Sequence, residues 1–542
     1  MTLRTVDTPV PSVLDDTVTT ATRYLSVGAY IDPVFRDRCL RDVYYQHRRF
    51  VAPSYGFDLV TVLWHCLRAR RLELVRDGAI VVALAVTAYL DWRALVAIAA
   101  ALIGLRTTRT AWGVVRESAR RVRTGAGTGT TRSTRRFLLP LLGWVLTWLV
   151  VAVLVVLIIS RVSVAVPGLS HTEGMTVALA AAITVFALPL LFTLWRQKCV
   201  EDFADPARLP VVGGTRRLRT IAAQQRSNTV IYSDFEPFIG SGEVFETWGF
   251  PVRLVRKRPD DLAGAALTEG EREFDEPPFT AEEIVHYVRT RLRQLTTGEA
   301  ETRIPDLTIE DRVFLSAREI AHRAGITGER EMSEIIRNPT QPARHYLVCQ
   351  VVAWGGDVVT TVYVHLAVQG RSLFLEVTTT AMTPCNERYR IVDLEDGTGW
   401  LAWLRALRNG LGQTPRTIVE APGRLLTALI DATGIRNGRY RRRVLRTDRG
   451  ALVSVRQLGT GDELRNFTQG QDIFKFQRLI ENRVYADVLD FLDDHDVDTA
   501  EFRDRGSRVF HVGIVNNGKA TVNGNVVGSS KPAPAPQGSG NG

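Results

Sequence analysis

Two apolar runs, Phe137 to Ile159 and Gly174 to Trp195, carry no charged side chain and lie fourteen residues apart. About 20 apolar residues cross the roughly 30 Å hydrocarbon core as a helix, which satisfies its own backbone hydrogen bonds where water is absent. The pattern therefore predicts two transmembrane helices. A third apolar stretch, Gly78 to Leu105, is broken in its middle by Asp91-Trp92-Arg93. Arginines crowd its entry and nine more follow its exit, and such flanks favour the cytoplasm. A short helical hairpin turning at Asp91 to Arg93 satisfies both flanks and is preferred to a single crossing.

Elsewhere the periods are those of a water-exposed fold. Helical spacing marks Asp16 to Tyr30, Val34 to Phe50 and a helix capped by Asp58 whose face carries Leu59, Val62, Leu63 and Leu67. That helix suits either the inner membrane surface or a small bundle. After the apolar runs, Asn228 to Ser233 and Trp248 to Val255 read as strands, and Thr280 with Glu283 forms a capping box for a helix to about Leu295. Three β-rich runs, His345 to Trp354, Val358 to Val368 and Ser372 to Thr380, joined at Gly355-Gly356 and Gln369-Gly370, describe an antiparallel meander. Helices return at Trp400 to Leu411, Thr417 to Thr433 and Phe474 to Asp493.

The expected fold class is a membrane protein: a helical transmembrane region of two clean spans plus a short hairpin, a helical N-terminal unit, and a large cytoplasmic α+β domain containing the meander. The expected divisions are a helical cytoplasmic unit (1–77), the hairpin (78–105), an Arg-rich cytoplasmic segment and linker (106–136), the two spans (137–195), the α+β domain (196–508), a short β segment (509–528) and a disordered tail (529–542). Both termini are placed in the cytoplasm, and the N-terminus, with Asp7, Asp15 and Asp16, does not read as a signal peptide.

Charge refines this layout. The formal net charge is +10, and residues 1–136 already hold 21 arginines against 11 acidic residues, the same +10. The surplus sits around the apolar segments, where it favours retention in the cytoplasm and contact with anionic lipid over nucleic acid. The five cysteines are scattered without C-x-x-C or zinc-type spacing, and read as reduced thiols. The apolar runs lack ionisable groups of the kind that transport needs. Channel or transporter is thus an alternative only if oligomers line a pore with Asp91 and Arg93.

No catalytic, metal or cofactor residue is assigned. His345 and Cys349 share a strand face but lie about 13 Å apart at about 3.3 Å per residue, too far for a nucleophile and its base. Asp493-Asp494-His495-Asp496 reads as a solvated helix end. Two stretches are candidate contacts. In Tyr232-Ser233-Asp234-Phe235-Glu236-Pro237-Phe238-Ile239-Gly240-Ser241-Gly242, the residues Phe235, Pro237, Gly240 and Gly242 form a candidate binding loop. Its glycines permit the close backbone approach of an anion cradle, although no P-loop Lys-Ser/Thr follows, and an aromatic-anchored turn is the preferred reading. Arg436 to Arg449 holds seven arginines, of which Arg439, Arg441, Arg442 and Arg443 are candidate contacts to lipid or an acidic partner. A cleft joining these two stretches with a carboxylate or histidine would favour a membrane-tethered enzyme acting on lipid-borne or nucleotide substrates. Without one, a cytoplasmic domain that binds a protein partner as scaffold, sensor or regulator is preferred.

Tyr30-Ile31-Asp32-Pro33-Val34-Phe35, Val51 to Val60 through Pro53-Ser54-Tyr55-Gly56, Phe235 to Gly242 and Val522 to Gly528 together resemble an uncharacterised family of multi-pass membrane proteins from actinobacteria. The resemblance implies an actinobacterial origin and brings no reaction, ligand or catalytic residue to these positions.

Overall fold

The structure, a computed structural model, describes residues 19–90, 95, 98–99, 102, 171–204, 214–233, 235–258, 268, 270–297, 303–319, 327–394, 399–432, 449–461 and 463–512. Its helices are α1 (Thr20–Ile31), α2 (Pro33–Arg38), α3 (Leu59–Leu90), α4 (His171–Glu201), α5 (Arg216–Gln225), α6 (Ala281–Thr297), α7 (Glu329–Arg337), α8 (Gly399–Ala432), α9 (Phe467–Asp494) and α10 (Ala500–Val512). Its strands are β1 (Thr229–Tyr232), β2 (Glu243–Arg253), β3 (Leu307–Ser316), β4 (Arg344–Ala353), β5 (Val358–Gln369) and β6 (Ser372–Met382).

The strands form one mixed sheet in the order β1-β3-β4-β5-β6-β2. The expected meander is present as β4-β5-β6 and extends to β3, with every pair antiparallel; β2 closes one edge antiparallel to β6, and β1 lies parallel to β3 at the other. Alternation sorts the side chains. Leu347, Cys349, Val362, Val364, Leu375 and Val377 face one way and bury against Ile284 and Val288 of α6 and Ile480, Val484 and Val488 of α9. The other face carries Phe314, Tyr346, Val348 and Tyr363. The capping box that starts α6 is formed: Thr280 N–H donates to Glu283 Oε2 at 2.7 Å and Glu283 N–H to Thr280 Oγ1 at 3.3 Å.

The N-terminal helices share their core with the rest of the chain. Tyr24, Leu25, Phe35, Leu59, Val62 and Leu63 bury together with Leu218, Ile221, Cys385, Tyr389 and Val455. Tyr389 Oη donates to Asp32 Oδ2 at 2.9 Å, while Asp32 Oδ1 caps α2. Asp58 caps α3 as expected, through Val60 N–H at 3.2 Å and Thr61 N–H at 3.3 Å. The face beginning at Leu59 is the packed one, which selects the bundle reading over the membrane surface.

The membrane architecture read from the apolar runs is corrected. Among the described residues one segment, Ile183–Ala204, is long and apolar enough to cross a bilayer. The run at 137–159 and the turn at 91–93 lie outside them. No boundary falls at Gly78: α3 runs unbroken through it from Leu59 to Leu90, 32 residues. Apolar residues attributed to lipid are partly used for packing, since Ile80 of α3 and Val185 of α4 bury against Ile418 and Ala421. Those two belong to α8, a single 34-residue helix where two shorter ones were expected. Val509 to Val512, expected to open a β segment, close α10, and residues 513–528 lie outside the described part.

Candidate functional site

Arg217, on α5, fixes the chain that leaves the N-terminal helices. Its guanidinium donates to the carbonyls of Tyr44 at 3.1 Å, Val43 at 3.2 Å and Gln46 at 2.9 Å. The next residues, His47 to Phe50, are pinned from the opposite side. Phe50 N–H donates to Arg449 O at 2.8 Å, and Arg49 Nη1 donates to Ser233 Oγ at 2.9 Å and to Gly450 O at 3.0 Å. Ala451 in turn pairs with the end of β1, accepting from Ser233 N–H at 2.9 Å and donating to Ile231 O at 2.7 Å.

These contacts frame an open cleft of about 470 Å³ lined by His47, Arg48, Arg49, Phe50, Gln224 and Arg449. Three of the six are guanidiniums and none is a carboxylate. Arg48 and Arg449 are exposed at the mouth; Arg49 is half-buried at the floor. Partial burial, aided by the Arg217 charge, shifts His47 below the usual histidine range. The carboxamide oxygen of Gln224 is buried and has no hydrogen-bond partner among the described residues. The cleft thus offers guanidinium donors to an anion and one acceptor to a neighbouring O–H or N–H.

The candidate loop has a different task. Phe235 is exposed and Pro237 half-buried, whereas Phe238 stacks on Tyr363 with ring centroids 4.2 Å apart and meets Phe314 and Tyr346 edge-on. Gly240 (φ 96°) and Gly242 (φ 97°) do permit close approach, but to the protein's own carbonyls: a Cβ would lie 2.8 Å from Pro53 O at the first and 2.1 Å from Ala381 O at the second. The loop is an aromatic-anchored turn. Arg439, Arg441, Arg442 and Arg443 lie outside the described residues; Arg449, the end of that stretch, is in the cleft. Among the described residues the two stretches come together where Ser233 and Gly450, the residue after Arg449, share Arg49, and Phe235 to Gly242 are not among the cleft's lining.

Other reactive groups are occupied. His345 Nε2 lies 3.0 Å from Asp311 Oδ1, a cross-strand pair invisible to local spacing, and Arg289 donates to the second oxygen of the same carboxylate at 2.8 Å. Hydrogen bonds from His345 and Arg289 overcome the opposing effect of burial and bring Asp311 down to about 2. The neighbouring Cys349 is no nucleophile, since burial, with the Asp311 charge, pushes its thiol up to about 12. Asp493 pairs with Lys257 and Arg503, and His495 Nδ1 donates to Phe491 O, which makes this run a tied helix end. Among the described residues no three His, Cys, Asp or Glu side chains cluster as metal ligands.

No curated protein and no solved structure matches the chain. A family model described as AbeC-like domain matches residues 247–527, just over half of the 542 positions. The match takes in most of the sheet and Arg449 but starts after His47, Arg48, Arg49 and Gln224, so the cleft straddles its boundary. By this match the chain belongs to the AbeC-like domain family.

Proposed function

We propose that this is a membrane-attached sensor or regulatory protein that recognises a soluble, phosphate-bearing ligand or partner in the basic cleft. The observation that carries the reading is the lining itself: among the described residues, three guanidiniums and no carboxylate line an open cleft. Such a site concentrates anions and forms charge-assisted hydrogen bonds with them. Its lining supplies donors and one acceptor, which fits binding better than turnover.

Position argues for a ligand in solution. Gln225, next to Gln224 of the cleft, accepts from Ser54 Oγ at 3.1 Å and donates to Asp58 Oδ1 at 3.5 Å, so the cleft lies at the start of α3. From Leu59 to Asp77 this helix climbs about 27 Å at 1.5 Å per residue before it reaches the apolar bundle with α4 and α8. Attachment through that bundle rests on Ile183–Ala204, of whose most apolar stretch only 28% is buried inside the protein. The shared core of the N-terminal helices and the sheet domain supports putting both on one side of such a membrane, and the arginine-rich flanks favour the cytoplasm for that side. An actinobacterial origin belongs to the same proposal.

Calorimetric titration of the full chain with pyrophosphate tests the cleft. Binding that weakens about tenfold in Arg48→Ala and in Arg449→Ala is expected, as for loss of one charge-assisted hydrogen bond each. Binding unchanged in both variants overturns the reading. Recovery of the chain in the supernatant after ultracentrifugation of cell membranes overturns the attachment.

A further inference from the structure

The helix α8 presents three faces. One is buried: Ala402, Thr414, Ile418 and Ala421 turn inward, and the missing side chain of Gly410 admits Leu190 and Thr193 of α4, to which a Cβ would come within 3.2 Å. A second face is apolar and uncovered. Trp400, Leu404, Leu407 and Leu411 recur at helical spacing along one stripe of the helix's first half and are between 37% and 71% exposed. The third is polar and cationic, with Arg408 bordering the stripe and Arg416, paired to Glu420, farther round on the side away from α4.

A stripe of this length facing water is costly, at about 25 cal/mol per Å² of apolar surface. Trp and Leu on one face with Arg beside them is the arrangement of helices that bed into the boundary between headgroups and acyl chains. The stripe ends beside Gly410, where α8 packs on Leu190 and Thr193 of α4, and on that helix Ile183, Leu191 and Trp195 are exposed as well. We infer that α8 is a second membrane contact, which docks its Trp400-to-Leu411 stripe into the interfacial layer of an anionic lipid surface through the neighbouring arginines. The inference rests on the attachment proposed above and goes beyond it. A purely apolar helix is indifferent to headgroup charge; α8 makes the contact depend on it.

The five cysteines of the chain are all buried, so a cysteine introduced at an exposed site is labelled selectively. The experiment compares Leu404→Cys with Asn409→Cys, each carrying an environment-sensitive fluorophore, in the full chain with vesicles of phosphatidylcholine alone or mixed with phosphatidylglycerol. The label at 404 is expected to be shielded from aqueous iodide in the mixed vesicles and quenched in the neutral ones, while the label at 409 is quenched in both. Arg408→Gln lowers the ratio of shielded to quenchable 404 label by roughly fivefold. A 404 label quenched as freely as the 409 label, in protein that still sediments with vesicles, overturns the docking of α8 and leaves attachment through α4 standing. Protein that does not sediment overturns both. Shielding of 404 without vesicles shows that protein covers the stripe, and also overturns the inference.

Discussion

Arg49 Nη1 donates to Ser233 Oγ at 2.9 Å, across 184 residues of sequence, and so joins the floor of the basic cleft to the end of β1. The same nitrogen reaches Gly450 O at 3.0 Å. Arg49 is thus part of the wall as well as a proposed ligand contact, whereas Arg48 and Arg449 are exposed. Removing Arg49 strips a carbonyl and a hydroxyl of their donor, at a cost of about 1–3 kcal/mol. Arg49→Ala is expected to lower both the thermal midpoint and the affinity for pyrophosphate, and Arg48→Ala the affinity alone. Equal thermal midpoints for Arg49→Ala and the parent chain would show that the cleft does not need this tie.

The turn from Phe235 to Gly242 separates packing from binding. Phe238 fills the aromatic cluster on the second face of the sheet, so Phe238→Ala costs about 2–3 kcal/mol of stability, below the range for a fully buried ring. Gly242→Ala brings a Cβ against Ala381 O at a φ that L side chains avoid, and is destabilising as well. Phe235, 76% exposed, is replaceable by Ser without loss. Chemical denaturation of the three variants measures this order, and a Phe235→Ser change as damaging as Phe238→Ala contradicts it.

Acid weakens the fold through histidines that are buried uncharged. Burial, aided by the Arg68 charge, brings His65 down to about 3; burial likewise brings His365 to about 4, although its hydrogen bond to His345 O pulls the other way. Both lie below the unfolded value of 6.5, so their contribution to stability is complete above pH 6.5 and is lost as pH falls toward 4 and 3. Between pH 7 and 5 His365 alone accounts for about 2 kcal/mol of that loss. Asp487 runs in the opposite sense: burial raises it to about 6 against the Arg483 charge, so its contribution is present at low pH and lost as pH rises through 6. His365→Gln, able to keep a donor for His345 O, is expected to flatten the acid side of a stability-versus-pH curve, and Asp487→Asn to raise stability at pH 8. Unchanged slopes in both variants would refute the assignment.

What the sequence discloses here is what is local. The Thr280–Glu283 box, the Asp58 cap and the turns of the meander are decided by residues within a few positions of each other, and all three form as read. The helix α8 was hidden because Pro415 and Pro422 argue for a break; each removes one backbone donor, and packing of Thr414, Ile418 and Ala421 against α3 and α4 outweighs that loss. The His345–Asp311 pair depends on which strands become neighbours, and the β1–β3 parallel pairing has no local signal at all. The cleft gathers positions 47 to 50, 224 and 449. Its one trace in the sequence is the arginine-rich stretch that ends at Arg449, whereas the glycine loop closes on the protein's own carbonyls.

The charges at the base of the apolar bundle lock its helices in register. Asp77, 2% exposed, accepts from Arg76 Nη2 at 2.7 Å on its own helix and from Arg424 Nε at 3.0 Å on α8, while the Arg76 guanidinium sits 4.6 Å over the Phe192 ring of α4. Arg424 also donates to Thr417 O at 2.9 Å and pairs with Glu420 at 3.3 Å, so its loss is partly local to α8. Deleting Asp77 leaves Arg76 without its carboxylate and Arg424 with Glu420 alone, and breaking a buried pair in this way costs about 3–5 kcal/mol. Asp77→Ala is therefore expected to be the more damaging substitution and Arg424→Leu the milder, because Arg76 still neutralises Asp77 in the second. Since the two residues are in contact, the double variant is expected to fall short of the sum by about 1–2 kcal/mol in a thermal or denaturant cycle on the full chain. Strict additivity would mean that α3 and α8 are held by their apolar faces alone, with Ile80, Ile418 and Ala421 setting the register and the ion pair contributing nothing to it.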